Sequence, residues 1–228
     1  MPLVRRTAVG LLFTVLGSIA FAVQADAARE GDGLAAFDPR LTADFVAHRT
    51  NLLSVLARAI TFVGEVPVLS LLTVVVAAVI RLRTHRWRPA VVLAAGMAGA
   101  AILTYVLKVL IGRQRPDASM VLGTVNNGFS FPSGHSLSGT VFFLLLAGLL
   151  WYTSVSLALK IAGTAVAVVL SVAMGLSRVY LGYHWATDVL AGWTVALTWL
   201  CLFATVVHLL SSSRVDRAGS RGREGSTP

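Results

Sequence analysis

Two histidines, one aspartate and three basic residues stand in a mostly apolar stretch at spacings that suit phosphate chemistry. His184 and Asp188 are four apart in Ser177-Arg178-Val-Tyr-Leu-Gly-Tyr-His184-Trp-Ala-Thr-Asp188. On a helix that interval puts both on one face. A carboxylate beside an imidazole fixes its tautomer and stabilises the imidazolium, leaving the other ring nitrogen free to attack. The same residues are also candidate metal ligands. The surrounding Lys and Arg oppose a cation there, so a metal site ranks low.

Phe131-Pro132-Ser133-Gly134-His135-Ser136 reads as the opening of a helix. Pro and Ser start helices, and Ser133 is placed to cap one. Gly134 removes the side chain that would keep an anion from the backbone, and a helix N-terminus offers free N–H groups and a positive dipole end. His135, on the first turn, is placed to act as an acid. The plainer alternative is a simple cap with an interfacial histidine. In Lys108-Val-Leu-Ile-Gly-Arg-Gln-Arg115-Pro116 the two outer cations are seven apart. On a continuing helix, ended by Pro116, they share a face two turns apart. Two such cations suit a multiply charged anion, and Arg grips phosphate oxygens bidentately. Interfacial anchoring by snorkelling cations is the alternative. Arg113 and Asp117 flank this cluster with no evident catalytic part.

The elements that must carry these residues are apolar. Of 228 residues, 56% are hydrophobic and 13% charged, against ~25% charged in a soluble domain; the mean hydropathy is +0.78. Residues 7–25, 89–107, 136–159, 161–177 and 189–213 contain no Asp, Glu, Lys or Arg. Residues 66–80 form a shorter apolar core that 52–63 can extend. Each approaches the ~20 residues that cross ~30 Å of hydrocarbon. The expectation is an all-α integral membrane protein of six transmembrane helices. One six-helix membrane domain is expected over 1–210, and a Ser-, Gly- and Arg-rich tail over 211–228 is expected to be disordered. Lys160 is the only charge between the fourth and fifth spans, which predicts a tight hairpin there. Between Leu41 and Phe62, apolar residues at mixed helical spacing predict either an interfacial amphipathic helix or an extension of the second span.

With both termini cytoplasmic, the inner segments hold 11 of the 19 basic residues and only two of the ten acids, Asp216 and Glu224. The net charge of +9 is then mainly topological, and nucleic acid is not an expected partner. All three polar clusters fall at the outer ends of the spans. Intramembrane or interfacial ionisable groups in such number are functional by default. Arg5-Arg6, an apolar stretch and Ala25-Asp26-Ala27 also resemble a signal peptide, but 19 apolar residues are long for its ~7–15-residue apolar region. Cys201 lies within an apolar run and reads as inert packing. Nothing in the pattern bears on oligomeric state.

Lys-x6-Arg-Pro, Pro-Ser-Gly-His and Ser-Arg-x5-His-x3-Asp, in this order over residues 108–188, resemble the three signature motifs of the type-2 phosphatidic acid phosphatase superfamily. Outside that stretch the likeness to its membrane branch is one of hydropathy alone. The resemblance implies that His184 is a nucleophile forming a phosphohistidine and that Asp188 orients it. His135 protonates the leaving oxygen and then activates water. Lys108, Arg115 and Arg178, with Ser133 and the backbone of Gly134, hold the phosphoryl oxygens. It implies no metal and no cofactor. The substrate expected is a lipid phosphate or diphosphate (phosphatidic acid, phosphatidylglycerol phosphate or undecaprenyl diphosphate), hydrolysed on the outer face of a bacterial plasma membrane. A lipid phosphotransferase with the same intermediate and a non-enzymatic lipid-phosphate binder or transporter are the competing readings. A haloperoxidase is disfavoured, since its soluble members are not built of spans.

Overall fold

The structure, a computed structural model, describes residues 3–125 and 127–224, with side chains between Val4 and Ser212. The described backbone is helical and loop, without strands. It runs α1 (Leu3–Glu30), α2 (Asp38–Ala47), α3 (Asn51–Val63), α4 (Val66–Thr84), α5 (Trp87–Ile111), α6 (Gly134–Trp151), α7 (Leu157–Tyr180) and α8 (Ala186–Glu224). Among the described residues six helices are long and apolar enough to cross a membrane: α1, α4, α5, α6, α7 and the part of α8 up to Ser212. The chain is therefore a multi-pass membrane protein, as its hydropathy predicts.

Helix α6 sits at the centre, packed against α5, α7 and α8. Leu137, Val141, Phe142 and Leu145 bury its sides against Leu93, Ala100 and Ala196. Its small residues let neighbours come close, as is usual where lipid supplies no hydrophobic drive between helices. Helix α1 lies along α8, with Gly10 opposite Thr205, Gly17 opposite Thr198, and Gln24 hydrogen-bonded to Thr194 at 3.0 Å. Ala25 and Ala28 pack under Phe131 and Ala191.

Several local boundaries differ from the hydropathy reading. The fourth span ends at Trp151, and the turn before α7 is 152–156, where Ser156 accepts from the N–H of Leu159 at 3.3 Å. Lys160 therefore lies within α7 rather than in the connection; the turn is Tyr152-Thr153-Ser154-Val155-Ser156, whose uncharged residues hydropathy does not separate from a span. The stretch 41–62 is two helices, not one. Arg49 breaks it by reaching the carbonyls of Tyr180 (3.0 Å) and Met120 (2.6 Å), and Thr50 then caps α3. Helix α3 is separated from α4 by Gly64-Glu65, so it is not an extension of that span. Helix α5 stops at Ile111, because Gly112 takes the left-handed conformation at φ 68° and closes onto the Lys108 carbonyl. The premise of a helix continuing to Pro116 therefore fails. The expected tail over 211–228 falls partly on the α8 backbone, and residues 225–228 lie outside the described residues.

At the end of the bundle that carries the motifs, Gly182 (φ 79°) turns the chain from α7 toward α8, and a Cβ there would overlap the Met120 carbonyl. Gly148, on α6, has open space beside it. Gly182→Ala should lower the melting temperature in detergent by several degrees, corresponding to more than ~1 kcal/mol. Gly148→Ala should leave it unchanged or raise it. Equal behaviour of the two variants in a thermal-shift measurement would contradict this account of the turn.

Candidate active site

The turn after α7 builds the heart of the site. Leu181, Gly182 and Tyr183 donate back to the carbonyls of Ser177, Val179 and Arg178, at 3.0, 2.9 and 3.0 Å. This folds His184 back over Arg178. Helix α8 then starts at Ala186, so His184 precedes it rather than riding on its first turn. The Asp188 carboxylate reaches back to the Trp185 N–H at 3.0 Å, the reciprocal half of a capping box. Its Oδ2 also lies 3.2 Å from Nδ1 of His184. Nδ1 thus carries the proton offered to Asp188, and the lone pair resides on Nε2, 3.4 Å from Nη1 of Arg115.

Helix α6 brings the second histidine. Ser133 caps it, accepting from the Ser136 N–H at 3.4 Å and the Ser136 hydroxyl at 2.9 Å. The Ser133 N–H bonds the Asp188 carbonyl at 2.9 Å, tying the starts of α6 and α8 together. Gly134 and His135 are the first residues of α6, where N–H groups lack intrahelical acceptors. His135 has Nε2 3.4 Å from Oε1 of Glu65, and its ring lies flush against Gly64.

The three cations arrive from three places. Lys108, in the last turn of α5, donates to the carbonyls of Phe129 (2.6 Å) and Ser130 (3.1 Å). Arg115 comes from the loop after Gly112, held by the carbonyls of Tyr183 (2.8 Å), Gly128 (3.0 Å) and Phe129 (3.3 Å). Arg178 is 1% exposed, donates to Thr61 at 2.6 Å and lies 4.1 Å over the Tyr183 ring, with its Nε unpartnered. Among the described residues none of the three forms an ion pair with a carboxylate. Lys108, Arg115, Gly134, His135, Arg178 and His184 line one cavity of about 630 Å³. Ser133 and Asp188 lie behind that wall, fully buried.

Below the polar end, the cavity continues as a groove between α4 and α5. Its walls include Leu69, Thr73 and Val74 on one side and Ala94, Met97, Ala98 and Ala101 on the other. From Lys108 to Ala94 the wall spans about 21 Å of helix. Val74, Ala94, Ala98, Ala101 and Tyr105 are exposed on the bundle surface, so the groove opens sideways, toward where lipid would be.

Burial is the main influence that holds the His184 imidazole well below its ordinary range, followed by the charges of Arg178, Lys108 and Arg115. His184 is therefore neutral, with its basic nitrogen facing a cationic cavity. That arrangement can deliver a nucleophile to a bound anion.

Four further residues take part that the sequence motifs did not single out. Arg113 donates from Nη1 to Asp188 (2.8 Å) and Thr187 (2.8 Å), and from Nη2 to Asp38 (2.9 Å). Thr61 anchors Arg178 and Glu65 faces His135. The signal at Arg113 was only its place beside Arg115; Asp38, Thr61 and Glu65 are single polar residues in segments that fix no spacing to the motifs.

A family model described as the PAP2 superfamily matches residues 89–211. Phosphatidylglycerophosphatase B of Bacillus subtilis (strain 168) is 39% identical over 97 residues, which are 42% of this chain and 47% of that protein. The match thus spans about half of that relative's length. Decaprenylphosphoryl-5-phosphoribose phosphatase of Mycobacterium tuberculosis (strain ATCC 25618 / H37Rv) is 32% identical over 141 residues, 61% of this chain and 69% of that one. The crystal structure of a transmembrane PAP2 type phosphatidylglycerolphosphate phosphatase from Bacillus subtilis superposes with a TM-score of 0.77 at 29% identity. It covers 84% of this chain and 94% of its own.

Because its folded-state pKa is depressed, His184 should keep its neutral form as the pH falls past 6.5, the ordinary imidazole value. Nitrogen-15 NMR of histidine-labelled protein, with His184→Gln to identify the signal, should show no His184 titration from about pH 7.5 to about pH 5.5. A midpoint near 6.5 would contradict the burial argument.

Proposed function

The chain belongs to the PAP2 superfamily, and from that premise we propose that it is a membrane lipid phosphatase working through a phosphohistidine on His184. One observation carries the reading. A neutral, carboxylate-oriented imidazole and three cations that form no ion pair among the described residues close the polar end of a groove whose remaining walls are mainly apolar and open sideways. Such a shape accepts a phosphate joined to a hydrocarbon tail. The phosphate neutralises Lys108, Arg115 and Arg178, and the tail lies between α4 and α5 without leaving the bilayer.

In the reaction, Nε2 of His184 attacks phosphorus while Nδ1–H donates to Asp188, which stabilises the positive charge gained by the ring. The bond from phosphorus to the leaving oxygen breaks, and His135 supplies the proton to that oxygen. A water then gives its proton to His135 and attacks phosphorus, releasing inorganic phosphate and restoring His184. Proton transfer of this kind contributes ~10²–10⁴-fold. The cations and the N–H groups at the start of α6 stabilise charge that spreads over the phosphoryl oxygens in the transition state. Ser133, off the cavity wall, contributes by holding the start of α6 in place. The excess of Lys and Arg in the segments at the opposite end supports cytoplasmic termini and a site on the outer face of a bacterial plasma membrane.

Phosphate release should be measured with phosphatidic acid, phosphatidylglycerol phosphate and undecaprenyl diphosphate, beside a soluble phosphomonoester. His184→Ala should abolish release from every substrate, and Arg178→Met should lower kcat/KM by ~10²–10³-fold. EDTA should have no effect. Ala98→Phe, which fills the groove, should raise KM for the lipids while leaving the soluble ester unchanged. Full activity in His184→Ala or loss of activity in EDTA would sink the mechanism. Equal sensitivity of lipid and soluble substrates to Ala98→Phe would sink the groove assignment. Phosphate recovered on a second lipid rather than free would identify a phosphotransferase.

A further inference from the structure

Asp188 is the partner of the attacking histidine, yet His184 engages only one of its two oxygens. The other, Oδ1, accepts from Arg113 at 2.8 Å, and the same guanidinium turns its second arm to Asp38 at 2.9 Å. Asp188 is 0% exposed, Asp38 2% and Arg113 12%. Asp38 is held in turn by Thr187, whose N–H donates to its Oδ1 at 3.0 Å and whose hydroxyl donates to its Oδ2. The indole of Trp185 lies 5.8 Å from the guanidinium and covers it from one side. Three segments meet here: the start of α2, the loop after α5 and the start of α8.

The charges explain why two carboxylates share one guanidinium. Arg113 and Asp188 alone would form a closed, neutral pair, and an ionised carboxylate so paired gives less to the imidazole. With Asp38 added, two negative charges face one positive charge, and the cluster carries a formal charge of −1. Asp188 keeps its anionic character toward Nδ1 of His184 while its rotamer is fixed from the far side. Removing either support leaves a buried charge without its partner or lets the carboxylate rotate.

We infer that Asp38 and Arg113 are positioning residues for the attacking histidine, acting through Asp188 without touching substrate. Segment 31–50, which lies outside the motifs, thereby becomes part of what sets the rate. The inference rests on the reading of His184 as the nucleophile.

The test measures kcat and KM for phosphate release from a lipid substrate, with inhibition by inorganic phosphate as the gauge of the cationic cavity. Asp38→Asn puts an amide N–H or a neutral oxygen against Arg113, and kcat should fall ~10- to 100-fold. KM and the phosphate inhibition constant should stay within about threefold of the parent, because Lys108, Arg115 and Arg178 are untouched. Arg113→Lys keeps the charge but cannot bridge both carboxylates, and should show the same split independently of whether Asp38→Asn folds. In an Asp188→Asn enzyme, adding Asp38→Asn should cost less than about twofold more, since its effect passes through Asp188. A kcat within threefold of the parent in either single variant overturns the inference. So does parallel loss of phosphate inhibition, or an equal loss in both backgrounds, each of which marks a merely structural role. If the parent itself releases no phosphate, the reading of the site fails instead.

Discussion

Positive charge withdrawn from water, with no direct ion pair to a carboxylate among the described residues, is the constraint on which the rest of this molecule depends. Arg178 is fully buried, Lys108 and Arg115 partly so, and their hydrogen bonds go to carbonyls and to Thr61. Taking such groups out of water costs several kcal/mol each unless something repays it. The bundle keeps them there at the end of a groove, and in the proposed function the substrate supplies the counter-charge. A multiply charged anion recovers the cost on binding, and more of it as charge spreads in the transition state. The same cations, with burial, keep His184 neutral and so keep its nitrogen available.

Packing supplies the precision. Helix α6 is the most enclosed span, and its start is tied by backbone to the start of α8. The starts of two helices and the ends of two others are thus held at one level, and each brings a residue to the cavity or to the wall behind it. The loops between them are cross-tied as well: Ser130 bonds the carbonyls of Arg113 and Gln114, and Arg49 bonds those of Met120 and Tyr180. The groove has the opposite character. Alanines along α5 leave room beside α4, where a wider apolar residue would close it.

Much of this was legible in the sequence because polar residues are conspicuous against apolar runs. Lys108, Gly134, His135, Arg178 and His184 line one cavity with Asp188 behind it, and each of the six spans overlaps an apolar run read from hydropathy, with shifted ends. Lys108 and Arg115 do line the same cavity, but not from one helical face. Gly112 ends the helix, and the loop rather than a shared helical face delivers Arg115. The division of 41–62 into two helices depends on Arg49 finding carbonyls more than 70 positions away. Asp38 was hidden for the same reason. A lone aspartate in a polar loop carries no sign that it faces Arg113 and Thr187 across the fold.

The central claim is that His184 makes a covalent bond to phosphorus. Rapid quenching of the purified protein during turnover of a lipid labelled with phosphorus-32 in its terminal phosphate tests it most directly. Acid-labile, base-stable label on the protein, located by peptide mapping to His184, is the expected result. An active enzyme that never carries label, or that carries it on another residue, would contradict it.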